Sequence, residues 1–331
     1  MKKLLLLATG GTIACKPTDR GLAPALSAGE MLQFIDKPAF DVEAIDLLNI
    51  DSSNMQPEEW LVIAREIREF AKSREFDGIV LTHGTDTLAY TASALTFLLM
   101  DVDIPVVLTG SQYPIIQPDS DARDNLADAI TAAQFLDKGV YVCFNHSVML
   151  GCRAVKTHTF SLRAFESINY PYIGTVLNGA FTKLDTGVPT PCLNTFTENN
   201  GMDSRVALIK LIPGTSPGMI EAALTCGMAG VVIESFGMGG VHSFRRDHNK
   251  SLKHLMDNGV AVVLASQCLN ESSSMDVYEV SRTLREAGAI SAKDMTTESA
   301  VTKLMWALDR TRDFDELRTL MHTNFRGEIE G

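Results

Sequence analysis

The sequence predicts an α/β protein of two domains: a larger N-terminal doubly wound sheet and a smaller C-terminal parallel-sheet domain. Three observations carry that expectation. Short Leu- or β-branched runs alternate with helical patterns along the whole chain. The runs are continuously apolar, as in strands buried on both faces of a parallel sheet. The stretch Asp185–Asp203 breaks the rhythm with two Pro, two Gly and several Thr and Asn, and reads as a connection between domains. The expected limits are therefore 1–184, a linker over 185–204, and 205–331. A chain of 331 residues, 45% hydrophobic and 21% charged, has enough apolar surface for such cores.

The strands are expected at Leu4–Ala8, Ile45–Leu48, Gly78–Leu81, Val106–Leu108, Val140–Phe144, Val206–Leu211, Val231–Glu234 and Val260–Leu264. Between them, Pro57–Ser73 places Trp60, Ile63, Ala64, Ile67, Phe70 and Ala71 on one helical face. Leu88–Leu99, Leu126–Leu136, Pro217–Cys226, Lys250–Asn258, Asp276–Ala287, Lys293–Leu308 and Asp313–His322 also read as helices.

Composition excludes several classes. With 29 Lys and Arg against 41 Asp and Glu, the formal charge is −12, which argues against a general nucleic-acid binder. No apolar run reaches the roughly 20 residues of a membrane helix. The start, Met1–Ala8, has an apolar run shorter than a secretory h-region and passes straight into Gly10-Gly11, so a buried first strand is expected. Six scattered cysteines with no C-x-x-C pair fit a reducing compartment, and a cytoplasmic location is expected.

Some motifs are better read as structure. Gly214-Thr215-Ser216-Pro217-Gly218 fits a nucleophile elbow, but Pro217 lacks the N–H which that elbow uses on an oxyanion. Ser216 as N-cap before Pro217 explains it instead. His242, His248 and His254 are spaced by six, unlike a helical metal pair. Gly237–Gly240 lacks the full dinucleotide fingerprint. A nucleotide cofactor is not expected.

Two strand ends differ from the rest. Leu7-Ala8 runs into Thr9-Gly10-Gly11-Thr12-Ile13-Ala14, and Val80-Leu81 runs into Thr82-His83-Gly84-Thr85-Asp86-Thr87. Carboxyl ends of parallel strands line the ligand crevice. Glycines there admit a ligand to the backbone, and threonine hydroxyls can act as nucleophiles or donors.

On these two segments the chain resembles the bacterial-type L-asparaginase family, and is most similar to its cytoplasmic type I branch. The resemblance continues through Asp51–Met55, Gly110-Ser111-Gln112, Gly151–Thr157, Ala265–Cys268 and Ala287–Ile290. It implies hydrolysis of L-asparagine to L-aspartate and ammonia, with no metal or organic cofactor needed. It also implies Thr12 as one nucleophile and Thr85 as a second, activated by Lys156 and Asp86. Asp86 would hold the substrate ammonium, Ser52 and Ser53 its α-carboxylate, and the Ser111 backbone carbonyl would face the departing nitrogen. Backbone N–H groups around Thr12 and Thr85 would form the oxyanion hole. Leu22 stands where the family commonly carries a loop tyrosine, and Pro17–Ser27 is expected to be a mobile lid. The resemblance further implies a homodimer or homotetramer, with Asp276 a candidate for a cross-subunit contact. Cys268 matches part of the family's allosteric-site pattern, whereas Val155 stands where that pattern has a threonine, so the match is incomplete.

Two alternatives accompany this reading. One is the ammonia-releasing subunit of a tRNA-dependent amidotransferase, against which the closeness of Thr9 to Met1 and the −12 charge both count. The other is a catalytically weak asparagine sensor that kept the pocket.

Overall fold

The computed structural model describes residues 2–19, 21–35, 41–185, 201–273 and 279–330. Most of the expected linker, and Asp276, lie outside the described residues. The chain divides into two compact units, Met1–Thr197 and Glu198–Gly331.

In the first unit the elements are, in order, β1 (Lys3–Gly10), β2 (Cys15–Thr18), β3 (Gly21–Pro24), α1 (Ala28–Met31), β4 (Asp41–Ile50), α2 (Pro57–Ser73), β5 (Gly78–Thr82), α3 (Leu88–Leu98), β6 (Pro105–Thr109), α4 (Ala122–Ala133) and β7 (Gly139–Phe144). Five short strands follow: β8 (Ser147–Leu150), β9 (Ala154–Lys156), β10 (Phe165–Ser167), β11 (Gly174–Leu177) and β12 (Ala180–Lys183). Among the described residues an eight-stranded sheet runs β12-β11-β8-β7-β6-β5-β1-β4. Strands β7, β6, β5, β1 and β4 pair in parallel, while β8, β11 and β12 join antiparallel.

Strand β1 thus has β4 on one side and β5 on the other. The order of winding reverses between β1 and β5, the position where open α/β sheets form a ligand crevice. Both sheet faces are covered. Leu4, Leu6 and Ala8 of β1, with Val80 and Val107, pack against Ala122, Leu126, Ala129 and Ile130 of α4. By strand alternation Leu5 and Leu7, equally buried, face the other layer, where α2 and α3 pack. Each such leucine contributes about 1.5–3 kcal/mol by leaving water. Helix α2 spans the residues its apolar face predicts, begins with Pro57 in the first turn and ends at Arg74 in the left-handed region.

One local expectation is corrected. Strand β4 is not continuously buried: it is an edge strand with exposed and half-buried residues along its ten positions. Where the lid is expected, β2 and β3 pair antiparallel from Cys15 opposite Pro24 to Thr18 opposite Gly21, after which Ser27 and Glu30 form a reciprocal capping box on α1.

The second unit holds β13 (Val206–Lys210), α5 (Pro217–Thr225), β14 (Gly230–Ser235), α6 (His248–Asp257), β15 (Ala261–Ser266), α7 (Glu279–Glu286), β16 (Ile290–Ser291), α8 (Thr297–Leu308) and α9 (Phe314–His322). Its four strands are parallel in the order β13-β14-β15-β16. Val231, Ile233, Val262 and Leu264 pack on one face against Ile220 of α5 and Leu252 and Leu255 of α6. Ser216 is the N-cap of α5 with Pro217 behind it, as expected, but its side chain makes no capping bond. The hydroxyl that fixes this turn belongs to Thr215, which accepts from the Ile212 N–H and donates to the Ile212 carbonyl. His242 and His248 bond the Ile212 and Thr215 carbonyls, a structural use of both rings.

Among the described residues no helix is long and apolar enough to cross a membrane.

Candidate active site

The two glycine–threonine turns meet. Gly11, at φ 77°, caps the single turn Thr12–Ala14 and donates its N–H to the Ile50 carbonyl across the β1–β4 edge. A Cβ added to Gly11 would lie 2.4 Å from the Gly84 nitrogen and 2.5 Å from its Cα. The turn that opens Thr12 is therefore in backbone contact with the turn that opens Thr85. Only glycine permits that approach, and the positive φ is equally a glycine conformation. A Cβ on Gly84 would in turn come within 2.5 Å of Ser52 Oγ, so the β4–α2 connection closes on the same point. Thr87 donates its hydroxyl to the Ser52 carbonyl at 2.7 Å and fixes that connection. The Thr9 hydroxyl donates to the Thr82 carbonyl at 2.8 Å and ties the ends of β1 and β5.

Lys156 reaches this rim from the end of β9. Its Nζ donates to Thr85 Oγ1 at 2.9 Å and to Asp86 Oδ1 at 2.6 Å. The Asp86 side chain is 67% exposed, whereas that of Lys156 is 19% exposed. Hydroxyl, amine and carboxylate thus form a continuous chain from a buried oxygen to solvent. Thr85 Oγ1 also faces Gln112 Oε1 at 3.4 Å. Gln112 spends its amide hydrogens on the Thr159 and Ser161 carbonyls, so it joins the Thr85 hydroxyl to the loop after Lys156.

The remaining predicted residues lie on the same rim. Ser111 is fully buried and donates its hydroxyl to the Tyr113 carbonyl, which leaves its backbone as the part able to face a ligand. Asp121 accepts the Gln112 and Tyr113 N–H groups, and Asn125 donates to the Gly110 carbonyl, so this turn is held at both ends. Ser53 is exposed, and both its N–H and its hydroxyl go to Asp51 Oδ1. These bonds hold the Asp51 carboxyl below its ordinary range, so it is ionised beside the serine pair. Thr12 is half-buried, and among the described residues no hydrogen bond links its hydroxyl to Thr85, Asp86 or Lys156. Leu22 lies on β3, 53% exposed, and brings no hydroxyl to the site.

Sequence reasoning did not single out Gln112, Asp51 or His83. All three lie within the quoted motifs, but their contributions depend on partners that spacing does not reveal. Among the described residues no group of three or more His, Cys, Asp or Glu is placed to hold a metal ion.

The fold and this site define a two-domain α/β enzyme with a hydroxyl–lysine–carboxylate chain at the switch point of its larger sheet. Residues 3–186 match the family described as asparaginase, N-terminal, and residues 205–321 match the glutaminase/asparaginase C-terminal domain. The chain is 43% identical to the L-asparaginase of Thermococcus kodakarensis over 99% of both chains. The structure of that thermostable enzyme superposes with a TM-score of 0.92. A probable cytoplasmic L-asparaginase from Campylobacter jejuni superposes with a TM-score of 0.85 at 27% identity, over 98% of this chain and 100% of that one. A glutamyl-tRNA(Gln) amidotransferase subunit from Methanopyrus kandleri is 34% identical over 98% of this chain and 74% of its own length. The chain belongs to the asparaginase family of amidohydrolases.

Proposed function

We propose that the protein hydrolyses the side-chain amide of L-asparagine to L-aspartate and ammonia in the cytoplasm. The observation that carries this reading is Lys156 Nζ between Thr85 Oγ1 and Asp86 Oδ1, beside the backbone contact of Gly11 with Gly84. The 43% identity to an L-asparaginase, against 34% to the amidotransferase subunit, supports it over the amidotransferase reading.

A threonine hydroxyl is a weak nucleophile and needs a base within hydrogen-bond reach. Thr12 Oγ1 attacks the amide carbon, its proton passes to the leaving nitrogen, and the C–N bond of the tetrahedral adduct breaks, so that ammonia departs and an ester remains on Thr12. Thr85 is the second reactive hydroxyl. Lys156, once it has passed a proton to Asp86, takes the Thr85 proton, and the Thr85 oxygen activates the water that cleaves the ester. That water returns its second proton to Thr12, its oxygen leaves in aspartate, and Asp86 gives up the Lys156 proton to solvent, which restores the starting charges. Asp86 anchors the substrate ammonium, Ser52 and Ser53 the α-carboxylate, and the Ser111 carbonyl the amide nitrogen. The backbone N–H groups of Thr12 and Thr85 face the developing oxyanion, each worth about 2.7–4 kcal/mol by analogy with other oxyanion donors. The reading uses no metal or organic cofactor.

The site assembles from residues 1–184, and we infer a homodimer or homotetramer as the working form. Phe160, 85% exposed in the loop after Lys156, and the neighbouring exposed Leu162 support an interface there.

The test is ammonia release from L-asparagine, with Thr85→Ala as control and L-glutamine as competitor. Turnover well above the Thr85→Ala background is expected. Turnover equal to that background, with aspartate still binding, would establish a sensor instead. Light scattering on the active protein is expected to give at least a dimer.

A further inference from the structure

A buried chain of hydrogen bonds runs under the Thr85 turn from two helices. Trp60 of α2 donates its indole N–H to Thr91 Oγ1 at 2.9 Å, and Thr91 of α3 lies 2.9 Å from His83 Nε2. His83 Nδ1 lies 2.7 Å from the Gly84 carbonyl. His83 and Thr91 are fully buried and Trp60 nearly so.

The proton positions follow from chemistry. A carbonyl only accepts, so His83 Nδ1 carries the proton toward Gly84. An indole N–H only donates, so the Thr91 oxygen receives it and sends its own proton to Nε2. The ring is neutral with one defined tautomer, and burial, which pushes its pKa down to about 4, keeps it so at neutral pH.

The Gly84 carbonyl belongs to the peptide whose N–H is that of Thr85. That peptide is planar and trans, so holding its carbonyl fixes the opposite direction of the Thr85 N–H. No backbone carbonyl among the described residues takes that N–H. Glycine at position 84 would otherwise leave the peptide free to rotate. We propose that His83, held by Thr91 and Trp60, is a positioning residue that aims the Thr85 N–H at the oxyanion. This rests on the amide-hydrolysis reading above. It assigns His83 an effect on the transition state and none on ground-state binding, because the oxyanion charge develops only during attack.

The experiment compares His83→Asn, His83→Gln, Thr91→Val and Thr91→Ser with the wild type. Asparagine can place a donor near the Nδ1 position, whereas glutamine places its amide near Nε2 and leaves the Gly84 carbonyl alone. His83→Gln should lower kcat at least tenfold with KM and the aspartate Kd within about twofold, and His83→Asn should recover kcat to within about threefold. Thr91→Val should lower kcat in the same selective way and Thr91→Ser should not. Equal kcat losses in the Asn and Gln variants would overturn the proposal, as would losses in which KM, aspartate affinity and Tm move together. An activity-independent readout accompanies these: with threonine-selective 15N labelling, the Thr85 amide resonance should move in His83→Gln and stay in His83→Asn. Lack of ammonia release by the wild type would remove the functional reading, while that resonance would still decide the positioning. An unmoved Thr85 resonance in His83→Gln overturns the proposal whatever the activity.

Discussion

Gly11 and Gly84 touch backbone to backbone, with room for no side-chain carbon between them. That contact, together with the Thr9 hydroxyl bond to the Thr82 carbonyl, brings the Thr12 turn beside the Thr85 turn. Gly11→Ala should therefore place a methyl group 2.4 Å from the Gly84 nitrogen on a residue at φ 77°. Overpacking and strain together predict a loss of about 1–3 kcal/mol and at least a hundredfold drop in kcat. Gly29→Ala in α1, where the space is open and φ is ordinary, should cost no activity and raise stability by up to about 1 kcal/mol. Thermal unfolding and ammonia release on both variants check this; a Gly11→Ala protein with unchanged kcat would mean the contact is dispensable.

Lys156 joins Thr85 to Asp86, and Lys156→Met keeps much of its length while deleting the amine. The expected result is a kcat reduced by roughly 10²–10⁴ with Tm close to wild type, since a pair whose carboxylate is two-thirds exposed adds little stability. Circular dichroism and steady-state kinetics separate the two effects. A variant that retains a tenth of wild-type kcat contradicts the assignment of Lys156 as base.

How much of this was legible depends on what each residue interacts with. All eight expected strands exist; in β1, β5, β6, β7, β14 and β15 the apolar run reports burial directly, whereas β4 and β13 are edge strands only partly covered. The antiparallel strands were not expected. The β7–β8 hairpin turns on Asn145-His146, both at positive φ, and histidine is not a residue that announces such a turn. The β11–β12 hairpin turns on Asn178-Gly179, a readable signal whose flanking strands of four residues are too short to show a period. Helix α4 begins at Ala122 rather than near Leu126, and no cap marks that start: Asp121 gives its carboxylate to the Gln112 and Tyr113 N–H groups and makes no side-chain cap bond. At the site, the glycine–threonine turns stand out by composition. Lys156 does not: it is 71 residues from Thr85, and only the family resemblance marked it before the structure placed it there. His83 reads as a motif letter until its two ring nitrogens acquire partners.

In the second unit Lys303 of α8 and Glu328 form an ion pair at 2.6 Å with neither side chain exposed. Lys303 also donates to the Met321 and Thr323 carbonyls, and Glu328 accepts the Phe325 and Arg326 N–H groups. The pair fastens the end of the chain to α8. Lys303→Met should destabilise by about 3–5 kcal/mol, because it leaves a buried carboxylate without its counter-charge. The double variant Lys303→Met/Glu328→Gln should recover part of that loss. Denaturant unfolding measures both; a double variant no more stable than the single one would show that the carboxylate is not the source of the cost.

Asp128 of α4 lies 2.7 Å from His146 Nδ1, and burial, partly offset by that hydrogen bond, pushes its pKa up to about 6. A carboxyl raised in the folded state above its unfolded value of about 3.9 stabilises the fold fully below that lower value. The contribution disappears as pH rises through about 6, where ionisation must occur in a buried position. Asp128→Asn keeps an oxygen for His146 and removes the charge. The variant should match the wild type near pH 4, gain on it between pH 4 and 6, and be more stable by roughly 2–3 kcal/mol at most above pH 7. Tm measured from pH 4 to 8 reads this directly. A constant offset across the range would indicate a packing effect, and a variant that loses stability as pH rises would show that His146 and the Asp128 carboxylate act as a favourable ion pair.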